Sequence, residues 1–145
     1  MPNLYRGEWK KKIVLVNGTF DILHVGHYYL FSEAKKLGNT LYVLTNTDES
    51  IKRLKGKYPF HKEGERRFIL ESIKYIDEVY LFPEDRITRY LSMILPDVWV
   101  KGEEYRLLID KEEEREAKAL GIKIHFLPDV FPKDKYSTSI LKNTL

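Results

Sequence analysis

Five short apolar runs alternate with five amphipathic stretches along this chain, and that alternation leaves few folds open. The apolar runs, Ile13 to Val16, Leu41 to Leu44, Val79 to Phe82, Val98 to Val100 and Ile122 to Leu127, read as strands. Helical spacing fills the gaps: Tyr28 to Leu37, Glu49 to Leu54, Gly64 to Tyr75, Ile87 to Leu95 and Leu108 to Leu120. A last short helix is expected to open near Ser137. Alternating β and α units imply a parallel sheet covered on both faces. Right-handed crossovers then make a doubly wound, Rossmann-like α/β sheet of five strands. Such sheets bind ligands beyond the C-terminal strand ends, where the strand order reverses.

Local signals agree with this register. Gly38 and Gly121 follow helical stretches as C-terminal stops. Asp48 can cap the helix that begins near Glu49, and Pro96 ends the helix that precedes Asp97. The run Lys111 to Glu116 spaces opposite charges as an exposed helix face does and is assigned no chemistry. At 145 residues, with no linker or repeat, the chain is expected to be one domain with its core at about 12–142.

The segment Asn17-Gly18-Thr19-Phe20-Asp21-Ile22-Leu23-His24-Val25-Gly26-His27 is where chemistry is expected. It follows the first strand and leads into the first helix. A helix start offers unpaired N–H groups and the positive end of the dipole, which together favour an anion. Gly18 and Gly26 let the backbone approach a bound group. His24 and His27 can add donors where negative charge accumulates.

Thr-Phe-Asp-x-Leu-His-x-Gly-His resembles the signature of the cytidylyltransferase-like nucleotidyltransferases, and Tyr136-Ser137-Thr138-Ser139-Ile140 resembles the family's second box. The resemblance runs from about Lys12 to Leu141. It implies transfer of a nucleoside monophosphate from a triphosphate to a phosphorylated small molecule, with release of pyrophosphate. It implies that His24 and His27 face the reacting phosphates and that Gly18, Thr19, Phe20 and Gly26 approach them with their backbone. Ser137, Thr138 and Ser139 would cap the last helix and bind the outer phosphates. Lys52-Arg53-Leu54-Lys55-Gly56 resembles a tract of the heptose-phosphate adenylyltransferases, which makes Lys55 a catalytic candidate and Lys57 a contact to the acceptor. Arg66 matches an arginine that organises the family's site and subunit contacts, and it is a candidate for contact with the nucleotide. Asp97-Val98-Trp99-Val100-Lys101-Gly102-Glu103-Glu104-Tyr105 resembles the loop that holds base and ribose, with Glu104 in place of an aspartate and Glu103 in place of a glycine. Asp21 of the first motif is a further candidate on the acceptor side.

The implied substrates are a nucleoside triphosphate, ATP before CTP, carried with Mg2+, and a sugar phosphate such as a heptose 1-phosphate. Glycerol 3-phosphate with CTP and FMN adenylylation are the alternatives. A nucleotide-binding module without turnover is the alternative from another class. Family members are usually dimers, so a homodimer is expected. Asp129 stands where the glycerol-phosphate enzymes carry an arginine; Lys133 or Lys135 could substitute for it.

Composition narrows the remaining classes. There is no cysteine, which removes disulfides, thiolate metal sites and a cysteine nucleophile. The four histidines lack zinc spacing, and no metal ligand is assigned to protein side chains. A net charge of +3 without a wide basic face argues against nucleic acid. No apolar run could span a bilayer and none at the N-terminus reads as a signal, so no membrane role and a cytoplasmic location are expected.

Overall fold

The computed structural model describes residues 10–131. Five parallel strands form one sheet: β1 (Ile13–Gly18), β2 (Thr40–Asn46), β3 (Glu78–Phe82), β4 (Val98–Gly102) and β5 (Lys123–Leu127), in the order β3-β2-β1-β4-β5. The helices are α1 (Val25–Lys36), α2 (Asp48–Lys55), α3 (Glu63–Glu71), α4 (Thr88–Ile94) and α5 (Lys111–Ala119). A short 3-10 turn, Glu103–Tyr105, follows β4. The Rossmann-like sheet expected from the alternation is present, and its order reverses between β1 and β4.

Side chains alternate across the pleat, so each strand feeds two cores. Val14 and Val16 pack with Phe31, Ala34 and Leu70 on the α1 and α3 face. Leu15 and Trp99 pack with Ile87, Leu91 and Ala117 on the α4 and α5 face. Both faces are covered, as a fully parallel sheet requires. Among the described residues, no helix is long and apolar enough to cross a membrane.

Several element boundaries differ from the sequence expectation, each for a local reason. Helix α1 starts at Val25 rather than Tyr28 because His24 is its N-cap. Helix α2 is capped by Thr47, whose hydroxyl accepts from Ser50 N at 3.3 Å, so Asp48 is a first-turn residue and not the cap. It ends on Gly56, left-handed at φ +80°. Helix α3 stops at Glu71, well short of Tyr75, with the Ser72 N–H turned back onto Phe68 and Ile69 carbonyls. Helix α5 starts at Lys111 rather than Leu108, where the Asp110 carboxylate accepts from Glu112 N and Glu113 N.

The two stop glycines act differently. Gly121 is left-handed at φ +74°, as a helix stop should be. Gly38 is not; a side chain there would run into the Lys12 carbonyl, so it serves close approach to the lead-in of β1. The charged run of α5 also has an exception. Glu113 is buried and accepts from Ile87 N at 2.8 Å, and burial raises its pKa.

Candidate active site

Above the C-terminal ends of β1, β2 and β4 lies a cavity of about 560 Å3, within the range of small-molecule sites. The loop from Gly18 to His24 forms one wall. Its backbone is held in an unusual shape: Phe20, not a glycine, sits at φ +44°. Such a conformation persists only where the surroundings fix it. Here the preceding carbonyl, Thr19 O, accepts from Thr45 Oγ1 at 3.0 Å and from Arg66 Nη1 at 2.9 Å. The Phe20 ring packs edge-on against His27 and Phe31. Gly18 is required beneath it, since a Cβ there would lie 3.0 Å from the Phe20 ring. The amides of Thr19 and Phe20 have no acceptor among the described residues, so both remain available to an anion.

The two histidines interlock at the start of α1. His24 Nδ1 accepts from Gly26 N at 3.1 Å, and His27 Nδ1 accepts from His24 N at 3.1 Å. Gly26 is needed for this, because a Cβ would sit 2.8 Å from His24 Cε1. With Nδ1 accepting on each ring, the neutral imidazole carries its proton on Nε2. The ring centroids are 4.0 Å apart. Burial pushes the His27 pKa down to about 4, helped by His24. Burial also lowers His24, against the pull of Asp129. At neutral pH the pair is therefore a set of uncharged donors at a helix N-terminus.

Lys55, from the last turn of α2, donates to Thr19 Oγ1 at 3.1 Å, and Lys57 lines the same wall. Lys55 thereby touches the histidine loop, and Lys57 lines the cavity with it. Asp21 lines the cavity, but both its oxygens accept backbone amides, Phe60 N at 2.7 Å and His61 N at 2.8 Å. It ties the 56–62 loop to the histidine loop, a structural role in addition to the acceptor contact expected of it.

Arg66 lies outside the cavity. It is wholly buried and spends its donors on His61 O, Thr19 O, Thr45 Oγ1 and Asp48 Oδ1. It cannot meet a nucleotide without giving these up, so its direct nucleotide contact is replaced by support of the Thr19–Phe20 backbone. Glu104 does line the cavity and lies across Gly102. Ser137, Thr138 and Ser139, with Lys133 and Lys135, fall outside the described residues.

The far wall holds residues to which the motifs give no individual role. Asn17, Asn46, Lys101 and Tyr105 all line it. Trp99 donates its indole N–H to Asn17 Oδ1 at 2.9 Å. The Lys101 ammonium lies over the Trp99 ring and the Tyr105 ring, 4.9 and 4.7 Å from their centroids. Burial lowers its pKa, partly offset by Glu113 and Glu104. The sequence signal for Asn17, Asn46 and Lys101 is a polar side chain that continues an apolar run at a central strand end. Among the described residues, no group of three or more acidic or histidine side chains is placed to hold a metal.

A profile of the cytidylyltransferase-like family matches residues 15–144. The bifunctional protein HldE of Shewanella sediminis is 38% identical over 141 residues, 97% of this chain and 28% of that protein. The Haemophilus ducreyi protein of that name is 48% identical over 102 residues, 70% of this chain and 21% of that one. The chain thus spans about a quarter of the length of these curated relatives. Among solved structures, the lipopolysaccharide core biosynthesis protein of Thermoplasma volcanium superposes with a TM-score of 0.69 at 30% identity, over 85% of this chain and 99% of that one. Pantothenate synthetase of Thermus thermophilus shares the fold, with a TM-score of 0.63 at 15% identity over 88% of this chain and 60% of that one.

Proposed function

Since the chain belongs to the cytidylyltransferase-like family of nucleotidyltransferases, we propose that it transfers AMP from ATP to a sugar 1-phosphate and releases pyrophosphate. The observation that carries this reading is the interlocked His24–His27 pair at the start of α1, facing the cavity that Lys55 and Lys57 also line. In the step, a phosphate oxygen of the acceptor attacks the α-phosphorus of the triphosphate. The bond from the α-phosphorus to the oxygen bridging to the β-phosphorus breaks, and the electron pair leaves with pyrophosphate. No covalent enzyme intermediate is needed, so the protein contributes alignment and relief of charge.

His27 Nε2–H donates to the α-phosphate as charge grows there, and His24 donates beside it. An uncharged imidazole suits this role, because it needs no counter-ion in the empty site and becomes a stronger donor as the phosphate charge rises. The amides of Thr19 and Phe20 and the ammonium of Lys55 hold the outer phosphates. Glu104, which lines the cavity after β4, accepts from the ribose hydroxyls. Mg2+ would neutralise the triphosphate. With both Asp21 oxygens already engaged, phosphates and water would supply most of its ligands.

The test is pyrophosphate release with ATP and CTP against a set of sugar 1-phosphates, glycerol 3-phosphate and FMN. ATP with a sugar 1-phosphate should give the highest kcat/KM. A higher value for CTP would overturn the base preference, and no release with any pair would overturn the transferase reading. The same reading includes a homodimer. Phe68 is 71% exposed and Tyr28 44%, and both line one apolar recess between α1 and α3. Sedimentation at the monomer mass would remove that part.

A further inference from the structure

Joining two phosphates requires two anion sites, and the histidine wall with Lys55 accounts for one, while Lys57 is expected on the acceptor side. The far wall carries a second set of donors, Asn17 at the head of the first motif and Lys101 in the segment that resembles the base and ribose loop, neither given a role of its own by the resemblance. Strands β1 and β4 pair in parallel with Leu15 opposite Trp99. Two residues further on, the pleat brings Asn17 and Lys101 to the same face of adjacent strands, which lie about 4.8 Å apart. Both line the cavity at the point where the strand order reverses.

Trp99 fixes what Asn17 can offer. An indole N–H only donates, so the Asn17 atom that meets it at 2.9 Å must be the carbonyl oxygen. Both amide hydrogens on Nδ2 are then left for another acceptor. Lys101 is held just as firmly. Its ammonium lies between the Trp99 and Tyr105 rings, and among the described residues it makes no ion pair or hydrogen bond. Its charged neighbours are Glu104 and Glu113, which act on it only through space. A partly buried ammonium with empty donor positions gains most from an anion, since a neutral base returns little of its lost hydration.

We propose that Asn17 and Lys101, set side by side at the ends of β1 and β4 and anchored by Trp99, bind the phosphate of the acceptor substrate, a phosphomonoester. The assignment deepens the transferase reading and rests on it for the word acceptor; the phosphate site itself is tested without turnover. Three features support a phosphate over a nucleobase. The two donors belong to neighbouring strands and converge, one of them is a cation, and the triphosphate already has Lys55 and the histidine pair beside the Thr19 loop. In this arrangement the acceptor phosphate approaches the α-phosphorus from the side facing away from α1.

Three variants of the full chain test it: Asn17→Asp, Lys101→Gln and Lys101→Arg. Asn17→Asp keeps an acceptor for the Trp99 N–H and puts negative charge where the donor was. Binding of glucose 1-phosphate and of inorganic phosphate is followed by the 15N shift of the Asn17 side-chain amide and by calorimetry, with and without a non-hydrolysable ATP analogue. Lys101→Gln and Asn17→Asp should each weaken phosphomonoester binding about tenfold or more, the loss of one charge-assisted hydrogen bond. Lys101→Arg should restore most of it, and affinity for the ATP analogue should stay within about twofold in all three.

Unchanged phosphomonoester affinity in both loss variants would overturn the proposal. So would a loss of affinity for the ATP analogue, or a change in ATP-over-CTP preference, because Lys101 would then serve the nucleotide. If the wild type releases no pyrophosphate yet inorganic phosphate still moves the Asn17 amide in a Lys101-dependent way, the anion site stands and only the transferase reading falls.

Discussion

Acidification should destabilise this protein through His27, and the size of the effect follows from its environment. Folding lowers the His27 pKa from the ordinary 6.5 to about 4. Between those values the unfolded chain binds a proton that the folded chain refuses. The stabilising preference for neutral His27 is therefore fully present above pH 6.5 and is lost as pH falls toward 4. Lowering a pKa by one is worth about 1.4 kcal/mol, which gives up to about 3.5 kcal/mol here. His27 lines an open cavity, so water returns part of this and about 2 kcal/mol is the figure to expect. The comparison is with His27→Gln, whose amide oxygen can still accept from His24 N but cannot titrate. Urea denaturation of both proteins at pH 7, 6, 5 and 4.5 gives two stability curves, and their difference removes most other titrating groups. Wild type should lose its advantage steadily as pH falls. His24 moves in the same direction in both proteins, through its own burial, which leaves the sign unchanged. Adding a non-hydrolysable triphosphate should flatten the wild-type curve, because an anion beside His27 raises its pKa again. Parallel curves to within about 0.5 kcal/mol would show that His27 is not held neutral by burial. The uncharged-donor mechanism would fall with that result.

Lys55→Ala should weaken triphosphate binding about tenfold or more, while Lys111→Ala, on a solvated helix face, should change nothing; equal behaviour in calorimetry would remove Lys55 from the site. Arg66→Met should cost about 3 kcal/mol of stability, since it strands Asp48 and removes one of the two donors that hold Thr19 O. It should also lower kcat more than it raises KM, and a variant that unfolds at the wild-type denaturant midpoint would contradict the burial argument. Mg2+ with ATP at about 100-fold over its dissociation constant should stabilise the fold by about 2.7 kcal/mol in a thermal melt. Adenosine alone should do far less, and an equal rise in Tm would contradict a phosphate-centred site.

The strands were legible because apolar runs separated by helical spacing admit one arrangement. The first motif was legible because a strand, a glycine turn and a helix start define an anion site. Other parts were hidden for physical reasons. A histidine is a poor statistical N-cap, so the start of α1 at Val25 could not be read from His24. Nothing in the spacing around Arg66 shows a guanidinium with four protein acceptors and no exposed surface. Glu113 looks like its neighbours in a charged run, and only the packing of α5 against the start of α4 buries it.

The strand ends carry a more general lesson. Hydropathy ends the first strand at Val16, the second at Leu44 and the fourth at Val100, yet the strands run on to Gly18, Asn46 and Gly102. At the two edge strands, β3 and β5, the apolar run and the strand end together, at Phe82 and Leu127. The three central strands therefore overhang their apolar runs by two residues each, and the edge strands by none. The overhanging residues are Asn17, Gly18, Thr45, Asn46, Lys101 and Gly102. All but Thr45 line the cavity, and Thr45 holds Thr19 O and Arg66 behind it. A buried strand has no use for a polar end unless something polar meets it, because an unpartnered polar group in a covered sheet is costly. Where a run of apolar residues stops before its strand does, at the centre of a parallel sheet, the shortfall marks the floor of a binding site.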